Sequence, residues 1–153
     1  MFRNMRRKDR EVSSELAYEI LRDAEYGVLS TIGDDGYPYG IPLSHVLINN
    51  TIYFHAAKTG YKVDNIKRNQ KGSYCAVRST KVLPSEFATD YESVVVFGKV
   101  SEVFDKEKEE ALLALIDKYS KGFEKEGSDY IAKSGKNTSV FRIEIEHITG
   151  KVR

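Results

Sequence analysis

The sequence predicts a mainly β fold, an antiparallel barrel with flanking α-helices. Three observations lead there. Six segments are short runs of strand-forming residues, and tight turn signals join neighbouring segments as hairpins. No glycine-rich strand–turn–helix fingerprint marks a doubly wound nucleotide fold. With 153 residues the chain suits a single domain over 1–153, a size that buries roughly 68–70% of the unfolded surface without metal or disulfide staples.

Taken in order, the elements follow from spacing and turn chemistry. Ser13 and Ser14 can cap a first helix running to Glu25, because Leu16, Ala17, Ile20, Leu21 and Ala24 recur at helical spacing. Tyr26 to Ile32 is a strand run, and Asp34-Asp35-Gly36 a turn. Tyr37 to Ile48 is the next strand run, but Pro38 and Pro42 donate no ladder hydrogen bonds and so imply an edge, a bulge or an irregular strand. Asn49-Asn50 turns the chain into Thr51 to Ala56, an antiparallel partner with Thr51, Tyr53 and His55 on one face and Ile52, Phe54 and Ala56 on the other. Lys58 to Lys62 then leads to Val63, Ile66 and Lys67-Arg68, which predicts a short helix with Thr59 as N-cap.

Ser73 to Val77 and Ser93 to Phe104 are further strands, the second bent at Gly98, with Pro84 to Tyr91 as the connecting loop. Asp105 to Tyr119 is the strongest helix: Asp105 can cap it, acidic residues fill its first turns, and Leu112, Leu115, Ile116 and Tyr119 share a face. Lys121 to Lys136 is charged and glycine-punctuated, with one or two helical turns around Tyr130 and Ile131. Ser139 to Ile145 alternates as a half-buried strand.

Composition limits the function classes. Twenty-four Lys and Arg against 23 Asp and Glu leave a net charge of +1, without the basic bias expected of a nucleic-acid binder. The longest aliphatic run, Ala111 to Ile116, is far too short to span a membrane, and the basic stretch Met1 to Glu11 has no apolar core behind it, so the expected compartment is the cytoplasm. His45, His55 and His147 each stand alone in strand-like segments, without a second ligand at metal spacing, so no metal site is expected. Cys75 lies in an apolar alternation and reads as a buried structural thiol. Ser30, Ser44 and Ser73 lack nucleophile-elbow glycines.

One segment rises above this background. Ile52 to Asn69 runs from an aromatic strand through Lys58, Thr59, Gly60 and Lys62 into a helix start. Phosphate binding uses that combination of helix N–H groups, a glycine that lets the backbone approach, and lysine charge. An ordinary helix start with solvated lysines has the same spacing, so the residues alone leave both readings open.

Several stretches together resemble a known family: Met5-Arg6-Arg7-Lys8-Asp9-Arg10-Glu11, Tyr26-Gly27-Val28-Leu29-Ser30-Thr31, Asp35 to Leu43, Tyr53-Phe54-His55-Ala56-Ala57-Lys58, Lys62 to Ile66, Tyr91 to Gly98, and Ile145 to Lys151. In this order they are similar to the flavin-binding split-barrel proteins related to pyridoxamine 5'-phosphate oxidase, closest to the 5-nitroimidazole-resistance (Nim-like) branch. The resemblance implies a six-stranded antiparallel split barrel, a homodimer, and FMN at the subunit interface. It implies that Ile41, Pro42, Leu43 and Ser44 lie along the isoalloxazine with their backbone at its polar edge. His55 and Ala56 come next to it, and Gly60, Tyr61 and Lys62 hold the phosphate. The oxidase relatives carry Ser-Arg-Lys at that last position, so only the lysine is kept here. Ile41 stands where those enzymes have an arginine, and their basic substrate-binding ending is missing, which argues against a dedicated vitamin B6 oxidase.

Two functions are implied. One is a flavin-dependent reductase passing electrons from a small-molecule donor to a small planar acceptor such as a nitroaromatic, with His55 as the catalytic candidate at the ring. The other is a non-catalytic flavin- or haem-binding protein for storage or sensing. Val94-Val95-Val96-Phe97, apolar on both faces, adds the expectation of a homodimer, because a small barrel buries only one face of such a strand.

Overall fold

In the computed structural model, which describes residues 1–153, proline and hairpin chemistry set the strand boundaries. The elements are α1 (Ser14–Asp23), β1 (Gly27–Ile32), β2 (Pro38–Leu43), β3 (Val46–Ile48), β4 (Thr51–Ala57), α2 (Tyr61–Arg68), β5 (Lys71–Leu83), β6 (Ala88–Val103), α3 (Asp105–Tyr119), α4 (Glu124–Ser134) and β7 (Thr138–Val152). The strands form one antiparallel sheet of seven in the order β2-β1-β5-β6-β7-β4-β3.

The run Tyr37 to Ile48 is therefore two strands, and they lie at opposite ends of the sheet order with only Ser44 and His45 between them. Seven strands laid flat at about 4.8 Å spacing would put those ends roughly 29 Å apart. Three peptide steps span at most about 11 Å. The sheet must curl until its two edges meet at Ser44 and His45, where no ladder joins β2 to β3.

Inside the curl sits the main core, in which Leu29, Phe54, Tyr74, Val96, Phe141 and Ile143 pack against Ile20 and Leu21 of α1. The Ser13 side chain caps α1 by accepting the Leu16 N–H at 3.3 Å. A smaller cluster on the outer side of β4 joins Val46, Tyr53, Val103 and Val140 to Ala111 and Leu115 of α3. The face alternation of β4 therefore serves two cores, Phe54 inward and Tyr53 outward.

Several boundaries differ from the sequence reading. Gly60, not Thr59, is the N-cap of α2, and Phe104, not Asp105, is the N-cap of α3, both without a side-chain capping bond. β5 and β6 extend well past Ser73–Val77 and Ser93–Phe104 as one long hairpin, which shrinks the Pro84–Tyr91 loop to a 3₁₀ turn at Pro84–Glu86 and a left-handed Phe87. Cross-strand pairing carries them, a stabilisation that lies outside either segment's own pattern. Gly98 marks a register shift in the β6–β7 ladder, and a Cβ there would collide with the Glu144 carbonyl. α4 is a full helix of 11 residues rather than a turn or two. β7 continues to Val152 because β6 pairs it along its length. Cys75 is exposed on the outer face of the sheet, not buried in the core, although close neighbours still push its thiol pKa up through desolvation. No helix is long and apolar enough to cross a membrane.

The corner where the edges meet is fastened by polar groups around His45, which is fully buried. Its Nε2 lies 2.7 Å from the Leu21 carbonyl, an acceptor only, so Nε2 carries the proton and Nδ1 is free to accept. The Tyr74 O–H, 2.8 Å from Nδ1 and 3.1 Å from the Leu43 carbonyl, donates to one of them. The His45 backbone N–H donates to the Tyr119 hydroxyl at 3.0 Å, and Lys118 Nζ donates to the carbonyls of Ala24 and His45, each at 2.9 Å. Helix α3 is thereby tied to both ends of the sheet.

Burial pulls the His45 pKa down to about 4, with the Lys118 charge adding to the effect and the bond to Leu21 opposing it. An unfolded histidine takes its proton near pH 6.5. The unfolded chain then binds more protons between pH 6.5 and 4, so stability falls with pH across that window and levels off below it. The expected loss is about 3 kcal/mol. Urea unfolding at successive pH values should show it, and His45→Gln should flatten the profile. Glu92, whose hydrogen bonds to Arg78 hold its pKa near 2, stabilises the fold at higher pH and loses that contribution only as pH falls from about 4.5 toward 2.

Candidate functional site

Strand β4 is longer than its partner β3, and the mismatch creates an opening. β3 pairs Val46 with Tyr53, so β4 beyond Tyr53 is bonded only to β7 on its other side. Continuing that register backward places Ser44 opposite His55 and Leu43 opposite Ala56, but no ladder bonds form there. The two lips of this split are therefore the stretches Ile41–Ser44 and His55–Ala56, each with an unpaired backbone edge.

The lips differ in what their side chains do. Ile41 and Leu43 pack against the main core, Pro42 faces outward, and Ala56 is buried at 6% exposure, so a ligand in the split meets their backbone. Ser44 and His55 instead point to the outer side, where they line one cavity of about 350 Å³. Its floor is completed by Thr138, whose strand β7 pairs Val140 with His55. Its roof comes from Leu112, Ile116 and Tyr119 of α3 and from Tyr130, Ile131 and Ser134 of α4.

The roof is held from both ends. At the start of α3, Glu107 accepts the Tyr53 hydroxyl at 2.8 Å and Arg142 Nη1 at 3.1 Å. Burial, with the Glu107 carboxylate beside it, pushes the Tyr53 phenol up to about 12. At its end, the Tyr119 hydroxyl reaches the carbonyls of Glu25 at 2.5 Å and His45 at 2.9 Å. Gly127 lets α4 lie close on α3, since a Cβ there would sit 2.7 Å from Ile116.

Gly60, Tyr61 and Lys62 do not line this cavity; they form the N-terminus of α2 just past the end of β4. Gly60 has φ 136° and ψ 166°, a region essentially reserved for glycine. The N–H groups of the first helical turn have no intrahelical acceptor there and no side-chain cap. Tyr61 packs edge-on against Tyr39 of β2 at 4.8 Å, which fixes this helix end beside the β2 lip. No three His, Cys, Asp or Glu side chains converge anywhere in the chain.

The sequence reading named both lips and the α2 start but missed the roof and the role of His45. The α3 stripe Leu112, Ile116 and Tyr119 was visible as a helix face, and Gly127, Tyr130, Ile131 and Ser134 repeat at 3–4-residue spacing in α4. Nothing in the spacing says what such a face covers.

A curled antiparallel sheet that parts at one seam, with a helix start beside the gap, defines a split-barrel fold. The chain belongs to the pyridoxamine 5'-phosphate oxidase family, whose model matches residues 13–152. Among solved structures it is similar to a Bacteroides thetaiotaomicron protein ascribed to 5-nitroimidazole antibiotic resistance, with 22% identity over 93% of this chain and 86% of that one and a TM-score of 0.75. It is also similar to the flavocytochrome Anf3 from Azotobacter vinelandii, with 18% identity, 98% and 72% coverage and a TM-score of 0.79. The FAD and heme binding protein from Mycobacterium smegmatis gives 17% identity, 94% and 73% coverage and a TM-score of 0.81. At such identities the likeness speaks for the fold. A search of curated proteins gave no match.

Gly60→Ala should cost about 1–3 kcal/mol in urea unfolding, because alanine is strained at this φ even though the space is open. Gly40→Ala, at an ordinary φ with its nearest neighbour 3.4 Å away, should cost clearly less.

Proposed function

We propose that this protein is an FMN-dependent oxidoreductase of the cytoplasm that reduces a small planar acceptor such as a nitroaromatic. The observation that carries the reading is the split itself, with two unpaired backbone lips opening beside the α2 N-terminus. A flavin needs hydrogen bonds along one edge of its ring, a flat place for its rings and an anion site for its phosphate. The residues present fit: the Ile41–Ser44 backbone for the ring edge, His55 and Ala56 next to it, and the N–H groups of Tyr61 and Lys62 with the Lys62 ammonium for the phosphate. A bound flavin would supply the electron transfer from a reduced donor to the acceptor. The chain's part is to hold that ring, to place His55 as a hydrogen-bonding group at the cavity floor, and to keep water away with the α3 and α4 roof.

A second reading, a flavin- or haem-holding protein without turnover, draws support from the single histidine in a largely apolar cavity and from the FAD and heme binding neighbour. The visible spectrum of the purified protein separates the two cofactors. A flavin spectrum is expected, and a Soret band would favour haem. Lys62→Ala should weaken FMN about ten- to hundredfold while changing riboflavin little, since the lysine contact goes to the phosphate. Equal losses in fluorescence-quenching titrations would remove Lys62 from that role. Stopped-flow mixing of reduced protein with nitroaromatics then tests turnover, with slowed reoxidation expected for His55→Ala.

A homodimer belongs to the same proposal. Val28, Cys75, Val95 and Thr149 form one row across β1, β5, β6 and β7 on the outer face, with Val95 at 36% and Phe97 at 41% exposure. Phe2 covers part of this face by stacking on His147 at 4.8 Å and on Phe97 at 5.6 Å. A twofold partner would bury the rest and help enclose the flavin. Light scattering across a dilution series should report a dimer, and Val95→Lys should shift it toward monomer with loss of flavin from the same peak. A wild-type monomer holding stoichiometric FMN would reject the shared site.

A further inference from the structure

We propose that the cavity roofed by α3 and α4 is the acceptor pocket, and that it selects acceptors by their lack of charge. This rests on the oxidoreductase reading above and gives its substrate a chemical class: neutral one- or two-ring aromatics carrying a nitro, carbonyl or similar polar group. Thirty-one per cent of the chain is Asp, Glu, Lys or Arg, yet none of the 12 residues lining this cavity is one of them. The other two sizeable depressions contrast with it. One has Arg3 and Lys151 in its wall, and the other is ringed by charged residues including Arg22, Asp23 and Lys121.

Lys121, Lys133 and Lys136 adjoin the lining residues Ser120, Ser134 and Gly135 in sequence but are not themselves in the lining, and two other cations of the surrounding elements are committed elsewhere. Lys118 donates to the Ala24 and His45 carbonyls, and Arg142 is paired with Glu107. An anionic ligand entering the cavity would give up its hydration and find no counter-ion among the lining residues, which is costly unless the charge is paired. A neutral ring loses little and gains contact with Leu112, Leu115, Ile116 and Ile131. Besides Tyr119, whose hydroxyl is held by the Glu25 and His45 carbonyls, the polar side chains of the lining are the hydroxyls of Ser44, Ser120, Ser134, Thr138 and Tyr130 and the His55 imidazole. These suit a nitro or carbonyl group, which asks for hydrogen-bond donors rather than a full charge.

Size and access agree with a small ligand. A volume of about 350 Å³ lies at the lower end of the range for small-molecule sites. Tyr130 lines the cavity while 70% exposed, so it stands at the mouth, and α4 contributes no buried residue, which makes it the weakly held wall. A phosphate-bearing substrate such as the one that gives the family its name finds no cationic partner here.

The test compares 4-nitrobenzyl alcohol with 4-nitrobenzoate, which share the ring and the nitro group and differ in charge. Binding is measured by ligand-observed NMR on the oxidised protein as purified, without electron donor, at pH 8, where the benzoate is ionised and the alcohol is neutral. The alcohol should bind and the benzoate should bind at least about tenfold more weakly. Ser134→Lys should reverse or erase that preference, and Ile131→Trp should weaken the alcohol by filling the space, both checked for folding by circular dichroism. Equal affinities, no binding of the alcohol, or a preference unmoved by both folded variants would overturn the proposal. Failure of the flavin reading shows separately, as a colourless protein whose neutral-ligand preference persists.

Discussion

A seven-stranded sheet whose opposite ends are joined by two residues must be closed at one corner, and the rest of this structure depends on how that corner is fastened. Ser44 and His45 leave no room for a ladder, so side chains replace it: the His45 imidazole, the Tyr74 and Tyr119 hydroxyls and the Lys118 ammonium satisfy backbone groups from α1, β2 and the segment before β1. His45 and Tyr74 are fully buried and Lys118 partly so, each with a partner, and removal of one member strands another in low dielectric. That interdependence makes the corner a single arrangement rather than a flexible joint.

The same corner creates the opening. Where side chains take over from the ladder, the strand edges are free, and β4 runs past the end of β3 with its backbone unpaired toward Ser44. In most sheets a free edge is a hazard. Here the roof of α3 and α4 shelters it, and α3 is anchored by Glu107 at one end and Tyr119 at the other. The period-two alternation of β4 then sorts its residues: Phe54 and Ala56 complete the core, while Tyr53 holds the roof and His55 looks into the cavity beneath it.

Much of this was legible in the chain. Prolines 38 and 42 announced an irregular edge, and the Asn49-Asn50 turn, with positive φ at both residues, produced the expected hairpin. Ser44 and His55, which the family resemblance assigns to a flavin site, line one cavity. The outer-face exposure of Cys75 was read wrongly because alternation tells that neighbours differ, not which of them faces the core. The third helix begins at Asp105 as its pattern indicates, but Asp105 and Thr59 are not the N-caps: a capping residue type is a preference, and the backbone places Phe104 and Gly60 in that role.

By itself, then, the sequence determined what is local and periodic: the mainly β class, the turns, the amphipathic α1 and α3, and the two faces of β4. These depend on interactions within a few residues, which the chain displays in order. Only the tertiary structure decided the break at Ser44 and His45, the meeting of the sheet ends around a buried histidine, the full length of β5, β6 and β7, and the uncharged cavity under α4. Those features depend on partners far apart in the chain, such as Tyr74 for His45 and Glu107 for Tyr53, and on burial, which exists only once the sheet has curled.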